Sequence, residues 1–547
     1  MPRTARSGAR DGPCGSGRSA LRTACGSGRS ALRTGAALLS LALALGCSGP
    51  PATRSTPQEL VCIQDRPPET LDPHGGGTIS QTQEVLANVY EGVVGLDGQM
   101  KVVPALAESW SNPDENTWVL KLRQGARFHT GGVMTAEDVL FSFERARRRA
   151  HTALVSLESL EAVPGGVRFR TRAPDASLLG KLRDVFVVSR KFVTEKGEAA
   201  LASTSAGTGP FSFAAADPSQ DVVLHAFDHW GGRPAFSRVR FVTRHLDIPA
   251  VEQLARSGLP HFFSLRPSSP ASATAAASFD RAVVPGLSVA YLGFDLRGAE
   301  TPGVALPGSE RENPFLVAQV RQAFARSLDL AAVRAAAGAG FIPTQMIPPM
   351  VFGHAPEVPA PRQDLEEAKR LLAGTRFAKG FRVRFDYREL MKDLAEPIAE
   401  SLGALGITVD RNPLPDQAFF EVVGNGQSSL YLLRFSCRYG DAQEFFDRWA
   451  HSRDVAAGLG VANYSYERSL VPGLDEAIDG SRREIRPEIR QARLSAISAK
   501  LVSEAITVPV YQYEDVVFST RGLSWTPRID GYRLLGNATW NAAAAKP

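Results

Sequence analysis

Short, β-rich apolar runs alternate with amphipathic helical stretches from Leu60 to near the end of the 547-residue chain. The run LVCIQ at 60–64 is typical of a strand, whereas apolar side chains in 81–90 recur at helical spacing. Thr135, followed three residues later by Asp138, indicates a capping box at the start of a helix. This alternation restricts the chain to an α/β or α+β architecture, and the length is enough for more than one domain.

Later stretches extend the same pattern. We predict a strand at 382–387 and helices at three places: 315–338, 364–373 and 393–405. The Ala/Ser/Pro-rich segment 266–278 is predicted to be a surface loop. Together with the Gly- and Pro-rich segment 298–314, it indicates that the chain passes from one lobe to another near 265–290.

The N-terminal region is typical of a processed leader. Residues 36–46 form a strongly apolar, uncharged run that follows a basic arm and is shorter than the ~20 residues of a membrane-spanning helix. The run ends in Ala44-Leu45-Gly46-Cys47, which resembles the lipobox of bacterial lipoproteins, although Ala44 stands where Leu is usual. We expect a signal peptide at 1–46 and a lipid-anchored tether at 47–57. The alternative is an ordinary secretory signal in which Cys47 is incidental.

The net charge of +5 is concentrated in this leader. Residues 1–46 contain seven Arg and one Asp, a net charge of +6, which leaves −1 for the rest of the chain. The basic composition therefore gives no support for a nucleic-acid partner.

Ordered motifs in the body resemble the solute-binding proteins of ABC importers in the peptide/nickel class, family 5 of the bacterial extracellular solute-binding proteins. The resemblance runs from about Pro68 to Trp525 and is closest over 68–146. The matching motifs are Leu71-Asp72-Pro73, Tyr90-Glu91-Gly92, Pro104-Ala105-Leu106-Ala107-Glu108-Ser109-Trp110, Thr135-Ala136-Glu137-Asp138-Val139, Gly207-Thr208-Gly209-Pro210-Phe211 and His229-Trp230-Gly231-Gly232-Arg233-Pro234.

The resemblance implies an α/β, two-lobed periplasmic-binding-protein fold of type II, in its large three-subdomain form, with a hinge and an interlobe ligand cleft. We expect lobe I to comprise 58–285 and 505–547, and lobe II to comprise 286–504. Such a protein captures a small-molecule or peptide-like solute and delivers it to an ABC permease whose ATPase is a separate chain. We expect a monomer without a cofactor, anchored through Cys47 on the periplasmic side of the cell envelope.

The segment 430–446 occupies the place where peptide-binding members carry a strand, a Trp and an Asp that pairs with the peptide α-ammonium. The resemblance puts Phe435 at the Trp and Arg438 at the Asp. A guanidinium in that place repels a buried ammonium, so ordinary di- and oligopeptides are disfavoured. Our hypothesis is that Arg438 binds an anionic or carboxylate-bearing solute. The alternative is that Arg438 pairs with Asp441 or Glu444, or points to solvent.

Two segments supply the predicted ligand contacts. One is the glycine-rich loop after the first strand, where the backbone can approach a ligand closely, and the other surrounds Arg438. The candidates are Gly76, Gly77, Thr78 and Ser80, and Phe435, Ser436, Cys437, Arg438, Tyr439 and Asp441. We expect Cys437 to be a free buried thiol rather than paired with Cys62.

Catalytic and metal-binding signatures are weak. The sequence has neither a Gly-x-Ser-x-Gly elbow nor a P-loop, and nothing else in it indicates an enzyme. His225 and His229 are four residues apart, but in a strand and turn this spacing does not place them on one face, so no metal site is predicted. The alternative to a transport receptor is an extracytoplasmic sensor or chaperone that retains the fold without transport, with a hydrolase as a more remote third.

Overall fold

The computed structural model describes residues 57–76, 79–149, 151, 154–215, 217, 221–265, 269–308 and 312–545. The predicted signal peptide, Cys47 and nearly all of the tether lie outside the described residues, as do the loop candidates Gly77 and Thr78.

Strands and helices alternate through the described chain. The strands are β1 (Glu59–Gln64), β2 (Val94–Leu96), β3 (Val102–Pro104), β4 (Ala107–Asp114), β5 (Thr117–Leu122), β6 (Leu157–Val163), β7 (Gly166–Thr171), β8 (Phe211–Ala215), β9 (Val222–Ala226), β10 (Arg238–Thr243), β11 (His261–Ser264), β12 (Asp280–Phe294), β13 (Val304–Ala305), β14 (Arg382–Arg388), β15 (Thr408–Leu414), β16 (Leu430–Ser436), β17 (Thr507–Ser519), β18 (Leu523–Ser524) and β19 (Thr539–Trp540). The α-helices are α1 (Ser80–Ala87), α2 (Ala136–Arg148), α3 (Leu178–Leu182), α4 (Arg190–Lys196), α5 (Ile248–Arg256), α6 (Pro270–Ser278), α7 (Ala318–Ser327), α8 (Leu330–Ala337), α9 (Leu365–Ala373), α10 (Lys392–Ala404), α11 (Asp416–Gly424), α12 (Gln443–Phe445), α13 (Leu474–Arg483) and α14 (Pro487–Ser503).

One large mixed sheet organises the molecule. Its strand order is β13-β14-β16-β12-β17-β11-β1-β10-β9-β8, and β15 pairs with β14. The long strands β12 and β17 run through both halves: β1 and β8–β11 form the first half, and β13–β16 form the second half. The register between β12 and β17 is irregular between Pro285 and Val289, where the chain passes from one half to the other.

The strand directions create a crevice at this passage. In the first half, β1 is parallel to β10 and β11, and β11 runs antiparallel to the end of β17. In the second half, β14 is parallel to β15 and β16, and β16 runs antiparallel to the second part of β12. The carboxyl ends of the parallel strands in both halves therefore point toward the middle of β12 and β17. Ligands of α/β proteins bind at such carboxyl ends.

A separate four-stranded sheet makes a third subdomain. Its order is β4-β5-β7-β6, and α2 packs on it through a buried apolar core. Phe143 of α2 lies edge-on to Phe169 of β7, with ring centroids 5.0 Å apart. The predicted capping box at the start of α2 is confirmed, because Thr135 N donates to Asp138 Oδ2 at 2.9 Å.

Two sequence predictions are wrong in part. The stretch 315–338 is not one helix: α7 ends at Ser327, and Asp329 begins α8 by accepting a hydrogen bond from Ala332 N at 2.9 Å. The predicted loop 266–278 contains α6, because Pro270 fits the first turn of a helix and the alanines that follow favour helix. Within the described residues, no helix combines the length and apolar character that crossing a membrane requires.

A buried ion pair ties the turn after β1 to α2. Arg145, whose side chain is 0% exposed, donates from Nη1 and Nη2 to Asp72 Oδ1 and Oδ2 at 2.8 and 2.6 Å. We predict that Arg145→Met lowers the free energy of unfolding by about 3–5 kcal/mol, because it leaves the Asp72 carboxylate without its main cation.

The matched control is Arg147→Met on the same helix, where Arg147 is 38% exposed and 3.8 Å from Glu144. Urea unfolding should show a change within about 0.5 kcal/mol for this variant. Equal losses in both variants would contradict a structural role for the Asp72–Arg145 pair.

Candidate ligand cleft

Charged side chains collect where the parallel strands of the second half end. Arg388 is the last residue of β14, Asp416 begins α11 just after β15, and Arg434 lies near the end of β16. Arg388 Nε donates to Asp416 Oδ1 at 2.8 Å, and its Nη2 donates to Oδ2. Arg66 follows β1 in the first half, and its charge acts on Asp416. The Arg388 hydrogen bonds, together with the charges of Arg66 and Arg434, lower the pKa of Asp416.

Aromatic and acidic side chains of β17 line the adjoining part of the crevice. The Arg434 guanidinium lies 5.3 Å from the centre of the Tyr513 ring, and Tyr511 meets Tyr513 edge-on at 4.8 Å. Burial raises the pKa of Asp515 to about 6, although Arg434 opposes this shift. A Cβ placed on Gly531 would lie 2.9 Å from Asp515 Oδ2, so the missing side chain leaves room for this carboxylate.

The predicted contacts at the end of β16 divide between core and crevice. Phe435 is 1% exposed and packs against Phe445 and Trp449, with ring centroids 5.0 and 4.7 Å away. Ser436 is half-buried, and its Oγ lies 2.5 Å from Ser288 Oγ. Phe435 therefore presents almost no surface to a solute in this conformation. As ligand contacts, both residues remain predictions.

The two cysteines of the body are free and buried, as expected. The Cys437 thiol donates to the Asp441 carbonyl at 3.1 Å, and the residue is 0% exposed. Burial raises the pKa of Cys62 to about 12 and raises that of Cys437 well above its usual range. Both thiols are therefore held in the protonated, unreactive form.

Asp441 forms an ion pair with another arginine, Arg490. Arg490 donates from Nη1 and Nη2 to Asp441 Oδ2 and Oδ1 at 2.6 and 2.8 Å, and Gln443 N donates to Oδ1 at 2.9 Å. Tyr439 is 6% exposed, and its backbone N–H donates to Glu444 Oε2 at 2.9 Å. The Asp441 carboxylate and the Tyr439 backbone thus serve the local structure of this loop, and ligand contact by either residue remains a prediction.

Arg438 lies among carboxylates. Burial lowers the pKa of this half-buried arginine, but the nearby charges of Glu444 and Asp184 outweigh burial and raise it. Glu444 is 3% exposed and follows Arg438 in the same segment, whereas Asp184 follows α3. The alternative in which Arg438 pairs with Glu444 is thus favoured over pairing with Asp441. The Arg438 charge is partly balanced from within the protein.

The glycine-rich loop is described only in part. Gly76 has φ of +81°, a conformation that favours glycine, and it is exposed. Ser80 is the exposed first residue of α1, and Gln81 Nε2 donates to Asp65 Oδ1 at 2.5 Å. This bond joins the start of α1 to the loop after β1. Ligand contact by Gly76 and Ser80 remains a prediction.

Sequence reasoning missed two features. One is a cavity of about 200 Å³ beside α1, with Glu91, Trp230, Asp184 and Tyr532 in its wall. The other is Asp416 with its hydrogen-bonded Arg388 and the charges of Arg66 and Arg434. The position of these arginines near strand ends is a signal that the sequence offers. The strand order that places these strand ends beside one another is not visible in the sequence. Among the described residues, no group of three or more His, Cys, Asp or Glu side chains is arranged to hold a metal ion.

The raised pKa of Asp515 makes stability depend on pH. The folded-state pKa of about 6 lies above the ordinary 3.8, so charging Asp515 is more costly in the folded state and stability is lost as the pH rises through 6. We predict that Asp515→Asn, relative to wild type, becomes more stable on going from pH 4.5 to pH 7.5, by about 1–2 kcal/mol after allowing for partial exposure.

Urea unfolding at the two pH values measures this difference. Glu514→Gln, one residue away, is the control. It tests whether the loss of any carboxylate from this strand gives the same change in unfolding free energy between the two pH values. A constant difference between Asp515→Asn and wild type at both pH values would show that Asp515 is not desolvated.

Known proteins are similar to the chain in sequence. The model of the bacterial extracellular solute-binding proteins, family 5 Middle, matches residues 101–457, more than half of the chain. The dipeptide-binding protein of Escherichia coli (strain K12) is 24% identical over 408 residues, covering 67% of this chain and 73% of that protein. Heme-binding protein A of Haemophilus influenzae is 25% identical over 493 residues, covering 80% and 82%.

Solved structures agree in fold. The structure of AgaA from A.tumefacien R10 in complex with agropinic acid superposes with a TM-score of 0.68 at 20% identity, covering 88% of this chain and 99% of that one. The expected α/β fold of the type II periplasmic binding proteins is thereby confirmed. The chain belongs to the bacterial extracellular solute-binding proteins of family 5, which are binding proteins rather than enzymes.

Proposed function

We propose that this protein captures a carboxylate-bearing solute in the crevice between the two halves and delivers it to an ABC permease. The observation that carries the proposal is Arg438, which stands where the resemblance expects a carboxylate for a peptide ammonium. Glu444 and Asp184 partly balance its charge, which makes both carboxylates less available to a ligand cation. An ammonium in this place would meet a guanidinium instead.

Relatives with other ligands support a change of specificity on the same fold. One relative is named as a dipeptide-binding protein and another as a heme-binding protein. A third was solved with agropinic acid. The fold therefore accommodates chemically different solutes, and local substitutions such as that at Arg438 decide which one fits. Direct contact of Arg438 with the solute stays a prediction, since its charge is partly satisfied by the protein.

The crevice can close about the two long strands. We propose that lobe I (58–285 and 505–547) and lobe II (286–504) are joined where β12 and β17 pass between the halves, and that these strands form the hinge. The irregular register at Pro285–Val289 supports this position, because bulged strands bend locally. A solute that contacts both lobes favours the closed form by the difference in its affinity for the two states.

Arg438→Asp should change the ligand class. Together with Glu444 and Asp184, the new carboxylate forms a negatively charged site that attracts a peptide ammonium. We expect tripeptides to bind this variant and not the wild type when a panel of small solutes is titrated calorimetrically. Arg438→Asn, which removes the cation without adding a charge, should bind tripeptides more weakly than the Asp variant. Identical profiles for wild type and Arg438→Asp would overturn the mapping of this position.

The lipid anchor is a separate proposal, supported by the basic, apolar and lipobox-like order of 18–47. We expect the full chain expressed in bacteria to incorporate labelled palmitate and to fractionate with membranes. Cys47→Ser should lose both properties, whereas Cys25→Ser, in the segment to be removed, should keep them. Labelling that survives Cys47→Ser would contradict lipidation at this residue.

A further inference from the structure

One half-exposed carboxylate, Asp416, is hydrogen-bonded by Arg388 and is influenced electrostatically by two further arginines. Arg388 donates from Nε and Nη2 to the two carboxylate oxygens of Asp416. The charges of Arg66 and Arg434 further stabilise the ionised form of this carboxylate. Asp416 is half exposed, at 50% of its side chain, so it is not a core ion pair. Carboxylate is the group that fits the planar fork of arginine in two parallel hydrogen bonds.

The position of this group matches that of a ligand site. Arg388, Asp416 and Arg434 all lie at the carboxyl ends of parallel strands in the second half of the sheet, and Arg66 lies just after the carboxyl end of β1 in the first half. The Tyr513 ring supports the Arg434 guanidinium from β17, the strand that joins the halves. Arg434 also has Asp515 as an electrostatic neighbour. A solute anion here would touch both sides of the crevice.

We propose that Arg66, Arg388 and Arg434 form the anion-binding part of the cleft, and that Asp416 is a resident carboxylate which the carboxylate of the solute displaces or joins. This inference rests on the proposed function and names the residues that recognise the carboxylate of the ligand. The resident partner is itself a carboxylate, which favours a carboxylate over a phosphate as the group that binds. Because Arg66 approaches from the opposite half, anion binding at this group also favours closure.

The proposal predicts opposite effects for the two kinds of side chain. Arg66→Gln and Arg434→Gln remove cations and should weaken binding of a carboxylate probe by about tenfold or more, the range of a hydrogen bond to a charged group. Asp416→Asn removes the competing resident carboxylate and should tighten binding. A purely structural role would weaken binding in all three variants.

The chain supplies a matched control on the same two strands. Arg382, at the other end of β14, donates to Asp410 of β15 at 2.7 Å, so this pair repeats the Arg388–Asp416 arrangement away from the crevice. Asp410→Asn should leave the affinity for the probe unchanged. Equal effects of Asp410→Asn and Asp416→Asn would overturn the assignment.

The probes are the dicarboxylates from malonate to pimelate, their neutral diamides, inorganic phosphate and trialanine, each titrated calorimetrically into the purified protein. We expect at least one dicarboxylate to bind and the diamides not to bind. Binding of phosphate alone would overturn carboxylate selectivity. A dicarboxylate that binds equally to wild type, Arg66→Gln and Arg434→Gln would overturn this inference and leave the proposed function standing. Binding of trialanine with no dicarboxylate bound would overturn the proposed function itself.

Discussion

The two long strands β12 and β17 impose the arrangement on which the other features depend. They run antiparallel through both halves of one sheet, and the parallel strands on either side are oriented by their pairing with them. Because the two sets of parallel strands point toward each other, their carboxyl ends face the same crevice. Backbone pairing thus determines where a solute can contact side chains of both halves, whatever those side chains are.

The side chains at those strand ends then decide what the crevice can hold. The charges of Glu444 and Asp184 act on Arg438, so these carboxylates are less available to an ammonium in the place where peptide-binding members carry an Asp. Arg66 and Arg434 are exposed and belong to opposite halves of the sheet, and the charge of each lowers the pKa of Asp416. Exposed arginines near the strand ends and the pairing of Asp416 with Arg388 support the proposal of an anionic solute. The proposed difference from peptide-binding relatives therefore lies in the electrostatics of the strand ends rather than in the fold.

Local signals in the sequence predicted local structure well. The capping box of Thr135 and Asp138 depends on residues three apart, and it is present at α2. The segment 266–278 misled because its Ala/Ser/Pro composition suits a loop as well as a helix, and the helix is decided by Pro270 at the first turn. The break in 315–338 arises because Asp329 caps the next helix, although the apolar spacing continues through it.

The site was less predictable, because its members are far apart in the chain. Motif resemblance located the segment around Arg438, but the partner Asp184 lies more than 250 residues earlier and comes close only through the packing of α3. The strand ends near Arg66, Arg388 and Arg434 likewise come to the same part of the sheet only once the strand order is known. The central claim is that the crevice recognises a carboxylate and rejects a peptide ammonium. Native mass spectrometry of the purified protein tests it most directly, by identifying the solute that remains bound through purification. A carboxylic acid without a free peptide N-terminus is the predicted result, and an ordinary peptide in the cleft would contradict it.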